Sequence, residues 1–149
     1  MTEQAPERIS IHAPVERVFA VLSDFERYPE WAGDLKSARI VDRDADGRAL
    51  QVEFRAAAMG RSTTYTLAYD YTDAPRKLGW HLVDGDLQRE LDGSYQLTPA
   101  ADHPGRTEVL YELSIDLMVP IPGVVKRRAE GRIVRTALED LRRRVESGD

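Results

Sequence analysis

The sequence contains no cysteine. Disulfide frameworks, thiol nucleophiles and thiolate metal sites are therefore excluded. Histidine is almost as scarce, and His12, His81 and His103 stand far apart with no ligand spacing between them, so neither a zinc nor an iron site is expected. Lysine occurs only at Lys36, Lys77 and Lys126, the other cations being arginine, and the formal net charge is -5. An acidic balance argues weakly against a nucleic-acid partner. No stretch approaches the roughly 18–20 apolar residues of a membrane span, and Met1 to Glu7 offer no basic region followed by an apolar one. The expectation is a soluble cytoplasmic protein with no cofactor and no metal. Repeats and low-complexity stretches are also missing, and 149 residues suit one domain spanning the whole chain, long enough to bury a core.

What is present has a clear order. Arg8 to His12 reads as a short strand ended by Ala13-Pro14, with Pro14 placed at the first helical position, where its missing N–H costs nothing. Val15, Val18, Phe19 and Leu22 then give a helical stripe, and a second short turn from Phe25 to Trp31 carries Phe25, Tyr28 and Trp31. From Leu35 onward the apolar period is two. Strands are predicted over Leu35 to Val41, Ala49 to Ala58, Ser62 to Thr72, Lys77 to Val83, around Leu91 to Leu97, and from Val109 to Leu117. The turns between them are expected at Asp44–Gly47, Met59-Gly60-Arg61, Asp73–Pro75, Asp84-Gly85 and Pro99–Gly105. Links this short require antiparallel pairing, since a parallel crossover needs about a dozen residues.

The last segment is a long helix opening near Val119-Pro-Ile-Pro-Gly123. Val134, Ala137, Leu138, Leu141 and Val145 fall on one stripe, while Arg135 and Glu139 are spaced for an i,i+4 pair on the other side. Continued backwards, the stripe takes in Arg127 and Glu130. A buried charge is costly unless paired, so these two either neutralise each other or line a wet opening. Only this helix is long enough to cover the apolar face of the sheet.

Ile11-His-Ala-Pro-Val-Glu-Arg-Val-Phe19, Phe25-Glu-Arg-Tyr-Pro-Glu-Trp31, Gly93-Ser-Tyr-Gln-Leu97 and Val119-Pro-Ile-Pro-Gly123, in this order of elements, resemble the START-like (SRPBCC) superfamily over almost the whole chain. Within it the likeness is to polyketide cyclase/dehydrase-like and coenzyme-Q-binding (COQ10-type) proteins. The resemblance implies an α+β helix-grip fold, a curved antiparallel sheet of about seven strands around the long C-terminal helix, with two short helices after the first strand. It also implies a cavity between sheet and helix for a hydrophobic small molecule such as a lipid, quinone or polyketide-like compound.

Alternation places Val52, Phe54, Thr63, Tyr65, Leu67, Tyr69, Leu78, Trp80, Leu91, Tyr95, Tyr111, Leu113 and Ile115 on the inward face, an apolar wall with several phenols, as ligand pockets often have. The same residues would equally serve as plain core. The candidate ligand-binding set is Trp31, Leu35, Phe54, Arg61, Tyr65, Leu67, Tyr69, Trp80, Tyr95, Tyr111, Leu113, Arg127, Glu130 and Val134. No Ser-His-Asp spacing or phosphate-cradling loop occurs, so no catalytic residue is assigned and a non-enzymatic binder or carrier is favoured. In the aromatase/cyclases that the chain resembles, a Tyr after the second helix and an Arg after a hairpin turn contribute to the pocket. Arg61 matches the Arg, whereas Leu35 stands in the place of the Tyr, a departure that argues against cyclase activity. A cyclase or dehydrase is the rival reading and a protein-interaction module the third. Val119 to Val125 followed by Lys126-Arg127-Arg128 also fits transient contact with a membrane surface, although a loop packed on the core is the preferred reading.

Overall fold

The computed structural model describes residues 7–58 and 61–148. Seven strands, β1 Glu7–Ile11, β2 Leu35–Arg43, β3 Ala49–Ala58, β4 Arg61–Asp70, β5 Lys77–Gly85, β6 Gln88–Ala100 and β7 His103–Leu117, form one sheet in the order β1-β7-β6-β5-β4-β3-β2. All neighbours are antiparallel. Between β1 and β2 come α1 Val15–Leu22, a 3-10 turn Phe25–Arg27 and α2 Tyr28–Trp31, and the chain closes with α3 Gly123–Glu146. This is the α+β helix-grip arrangement.

Period-two alternation sets the inner face. Val52 faces Leu67 and Phe54 faces Tyr65 across β3 and β4, and Leu78 and Trp80 of β5 lie opposite Tyr95 and Gly93 of β6. Irregularities at Thr66/Leu67 and at several points along β2 add local twist, which helps a sheet curl. Trp80 lies so close to Gly93 that a Cβ there would stand 2.7 Å from the indole and 2.5 Å from the Glu112 carbonyl oxygen. Glycine at this strand position is what lets the ring lie flat on the sheet.

Three local expectations are corrected. Asp84-Gly85 is not the hairpin turn: both residues stay in β5, paired with Thr66 and Tyr65. The turn falls two residues later because the Asp86 carboxylate accepts from the Thr63 hydroxyl and the Thr64 N–H, tying it to β4. The Pro99–Gly105 loop shrinks to a tight turn, since β6 runs to Ala100 and β7 begins at His103. Pro99 is tolerated there because β5 ends opposite Gln96, leaving that edge of β6 with no bond to lose. Pro14 is the residue just before α1, its carbonyl accepting from Arg17 and Val18 N–H. The turn expected at Met59-Gly60 lies outside the described residues.

The second half of α3 closes the core. Val134, Leu138, Leu141 and Val145 are buried, and the helix packs on β1, β7, α1 and α2. Polar contacts clamp the same half. Arg144 pairs with Glu30 of α2 at 2.8 Å, the Gly33 N–H donates to Asp140 at 3.3 Å, and the His12 N–H donates to Glu146 at 3.0 Å. The Arg17 guanidinium donates to the Val145 carbonyl at 3.0 Å, a cation at the negative end of the helix. Arg135 does not pair with Glu139 as its spacing suggested. Its guanidinium folds back over Gly131 instead, following the N-terminal lean of helical side chains.

Leu141→Ala is expected to lower stability by about 2–5 kcal/mol through the cavity it leaves, and Gly93→Ala by about 1–3 kcal/mol through overpacking against Trp80. Chemical unfolding followed by tryptophan fluorescence measures both. An unchanged midpoint for Gly93→Ala would mean that the indole does not depend on the glycine.

Candidate functional site

Nine of the eleven aromatic residues form one ring-to-ring network on the inner face. Trp31 meets Tyr28 at 4.9 Å and Tyr28 meets Phe54 at 5.8 Å, with Tyr65 next at 5.7 Å. A second branch runs from Phe25 to Tyr69 at 4.3 Å and on to Trp80 at 6.0 Å. Tyr95 and Tyr111 end it, 4.4 Å apart. The sheet supplies the strand members by alternation, and the 3-10 turn and α2 lay Phe25, Tyr28 and Trp31 across them.

The structure thus brings together seven of the predicted residues, Trp31, Phe54, Tyr65, Tyr69, Trp80, Tyr95 and Tyr111. Leu67, Leu113 and Val134 are buried in the same core, and Leu35 is half-buried against it. Tyr28 and Phe25 were not in the predicted set although they join the two branches. Their spacing with Trp31, three residues apart along a helical turn, was the available signal. Arg61 begins β4 opposite Ala58, and its side chain lies outside what is described.

Glu130 and Arg127 part company. Glu130 is buried at 3% exposure, with one carboxylate oxygen accepting from the Ile115 N–H at 3.0 Å. Arg127 is exposed, its guanidinium turned back toward Gly123, so the expected neutralising pair does not form. The reason is positional: from Gly123 to Ala129 every residue is exposed except Lys126, which is half-buried. The first turns of α3 overhang the sheet, and only from Glu130 does the inward stripe meet it. β1 covers β7 from Thr107 to Tyr111, and the Glu130 carboxylate caps the strand edge beyond. Its other oxygen, Oε1, is buried with no partner among the described residues.

Exposure varies along the inner face. Tyr111, Leu113, Tyr95, Leu78, Trp80 and Tyr69 are buried, whereas Tyr65, Leu82, Leu91 and Ile115 are only partly so. These last four lie toward the β5–β6 turn and the β7–α3 connection, the end overhung by α3. Two depressions lie elsewhere, on the outer side of the helices. One of about 220 Å³ is lined by Arg17, Asp24, Arg27, Trp31 and Arg144 among others, and one of about 320 Å³ runs between α1 and the β2–β3 hairpin.

The phenols are the site's titratable groups. Burial pushes Tyr28, Tyr69 and Tyr95 well above the ordinary tyrosine range, and neighbouring phenols add to it. Burial likewise raises Tyr65, with Asp34 adding, and Tyr111, with Tyr65 adding. Tyr71, outside the network, is pushed up to about 12 by burial and Asp44, against the Arg48 guanidinium 4.8 Å above its ring. Tyr28 and Tyr71 donate to the Leu22 and Ala49 carbonyls. Among the described residues no backbone carbonyl takes up the hydroxyls of Tyr65, Tyr69, Tyr95 or Tyr111, although those of Tyr95 and Tyr111 bear on each other. At neutral pH these are protonated donors inside an apolar wall.

A phenol whose pKa is raised by folding keeps its proton after the unfolded chain has lost it. Between the unfolded value, about 10, and the raised one, the unfolded state binds fewer protons and stability falls as pH rises. Ultraviolet titration should therefore show tyrosinate forming late and together with alkaline unfolding. Tyrosines that ionise near the free value while the fold persists would contradict the burial described.

No curated protein matches the chain in sequence. In structure it is similar to a START superfamily protein from Mycobacterium smegmatis, with a TM-score of 0.92 at 24% identity over 99% of this chain and 100% of that one. The Zhui aromatase/cyclase from Streptomyces sp. R1128 follows the same path with a TM-score of 0.79 at 15% identity, over 95% of this chain and 92% of that one. The di-domain aromatase/cyclase BexL has a TM-score of 0.76 at 21% identity over 98% of this chain and 47% of that one. At these identities the likeness establishes the fold. The family described as polyketide cyclase/dehydrase and lipid transport matches residues 11–142, so that the chain, from the end of β1 almost to the end of α3, belongs to that family.

Proposed function

We propose that the protein binds a hydrophobic small molecule against the aromatic inner face, under the overhanging first half of α3. One observation carries this reading. Buried polar groups are nearly always satisfied, yet among the described residues Oε1 of the buried Glu130 has no partner. A donor on a bound molecule would satisfy it. An elongated apolar ligand would enter past Tyr65, Leu82, Leu91 and Ile115, the partly open residues of the face. Its hydrocarbon would lie on Trp80 and Phe54, and its polar end would meet Glu130 or a free phenol. Lipid alcohols and phenolic polyketide-like aromatics can donate to Glu130, whereas a quinone carbonyl can only accept, from a phenol.

Carriage or storage is the reading preferred over turnover. The phenols, raised by burial, are donors rather than bases. A cyclase reading draws on the same phenols: protonated donors in an apolar wall can hold ketone oxygens of a reactive chain while it folds. Tyr111→Phe separates the two readings, since it should change affinity modestly in a carrier and should strongly reduce turnover in a cyclase.

Native mass spectrometry of freshly purified protein, followed by denaturing extraction, is expected to reveal a co-purifying apolar compound. Glu130→Gln should keep the Ile115 contact through its amide oxygen while placing a donor where Oε1 was. Occupancy should then fall by about tenfold, the equivalent of one lost charge-assisted hydrogen bond. A bare mass for the wild type, with no retention of added long-chain alcohol or hydroquinone, would remove the binder reading.

A further inference from the structure

Among the described residues seven large apolar side chains are exposed, and five of them belong to one segment: Met118, Val119, Val124, Val125 and Ile133. The preferred expectation that this connection packs on the core is not met. Met118 to Pro120 and Pro122 to Val125 are exposed, and only Ile121 is half-buried. The same segment and the turn after it carry Lys126, Arg127, Arg128, Arg132 and Arg135, and their one acid, Glu130, is buried. On the helix, Val125, Ala129 and Ile133 form an exposed i, i+4, i+8 stripe flanked by Arg128 and Arg132. Among the described residues none of these five cations forms an ion pair. Two acids of neighbouring elements are engaged: Asp116 pairs with Arg89 at 3.6 Å, and Asp86 accepts from Thr63 and Thr64.

We propose that the β7–α3 connection and the outer face of the first half of α3 are a docking surface for an anionic lipid bilayer. Apolar side chains at the tip, with cations beside and behind them, match the boundary between acyl chains and anionic headgroups. The chain as a whole is acidic, with a net charge of -5, so the positive segment also orients the molecule toward such a surface. A second copy of the chain fits poorly, because a two-fold contact through this face would set like cations against each other. The surface borders the partly open end of the inner face, but its existence does not depend on a ligand being bound there.

Co-sedimentation of the full chain with vesicles tests this directly. Binding is expected to vesicles containing phosphatidylserine, not to phosphatidylcholine alone, and should fade as salt screens the charges. The paired variants Val124→Asp/Val125→Asp and Arg128→Glu/Arg132→Glu should each lower partitioning by about tenfold or more. Neither should shift the unfolding midpoint, since all four positions are exposed, and ligand occupancy read by mass spectrometry should be unchanged. Absence of binding to phosphatidylserine vesicles would overturn the proposal. So would equal binding to both vesicle types, or wild-type binding by both variants. A concentration-dependent dimer abolished by the same substitutions, without vesicle binding, would assign the face to a second copy instead.

Discussion

The structure depends on how the curved sheet has its concave face covered. Seven antiparallel strands present an inner face rich in aromatic side chains, and α3 is the one long element available to lie on it. The helix does so only from Glu130 onward. Val134, Leu138, Leu141 and Val145 are buried, each contributing about 1.5–3 kcal/mol of burial. Arg144, Asp140, Glu146 and the Val145 carbonyl then fasten the second half to α2, the Gly33 loop, β1 and α1. The first half has one described polar tether, from Glu130 to the Ile115 N–H. Fixation is thus concentrated at one end of the helix, and the other end is held by fewer described contacts.

The aromatic network divides along the same line. Its deep part, from Phe25 through Tyr69 and Trp80 to Tyr95 and Tyr111, is closed ring on ring. Its shallow part, at Tyr65, borders half-buried Leu82, Leu91 and Ile115 under the overhang. Packing the deep end fixes the floor, and Gly93 permits the indole to lie close to the strand. Buried phenols with raised pKa values stay neutral, so they add hydrogen-bonding capacity to an apolar wall without the cost of burying charge.

Much of this was legible in the sequence. Period two in the strands and 3.6 in the helices fixed element type and order, and the stripe on α3 pointed to Glu130 as an inward charge. What escaped was set by tertiary context. Asp84-Gly85 has the composition of a turn, but the Asp86 carboxylate bonded to Thr63 and Thr64 moves the turn onward. Pro99 reads as a breaker, yet β5 has already ended where it sits. Arg127 shares the angular position of the buried stripe, and no periodicity reveals that the helix there has run past the sheet. Tyr28 was visible as part of a helical aromatic triplet, but only the packing of α2 over β3 shows it meeting Phe54.

The overhang has opposite consequences on its two sides. Were α3 two turns shorter, Glu130 would stand at a helix end, where water satisfies a carboxylate readily. Inside the helix, its second oxygen is buried rather than solvated. The extra turns have no sheet beneath them for their own apolar residues, which is why Val124, Val125 and Ile133 are left facing outward. A single geometrical fact, a helix longer than the sheet it covers, thus produces both a buried acceptor within and an exposed basic and apolar tip without. A ligand that reaches the acceptor and a surface that receives the tip are the two natural complements to that geometry, and each can be sought without assuming the other.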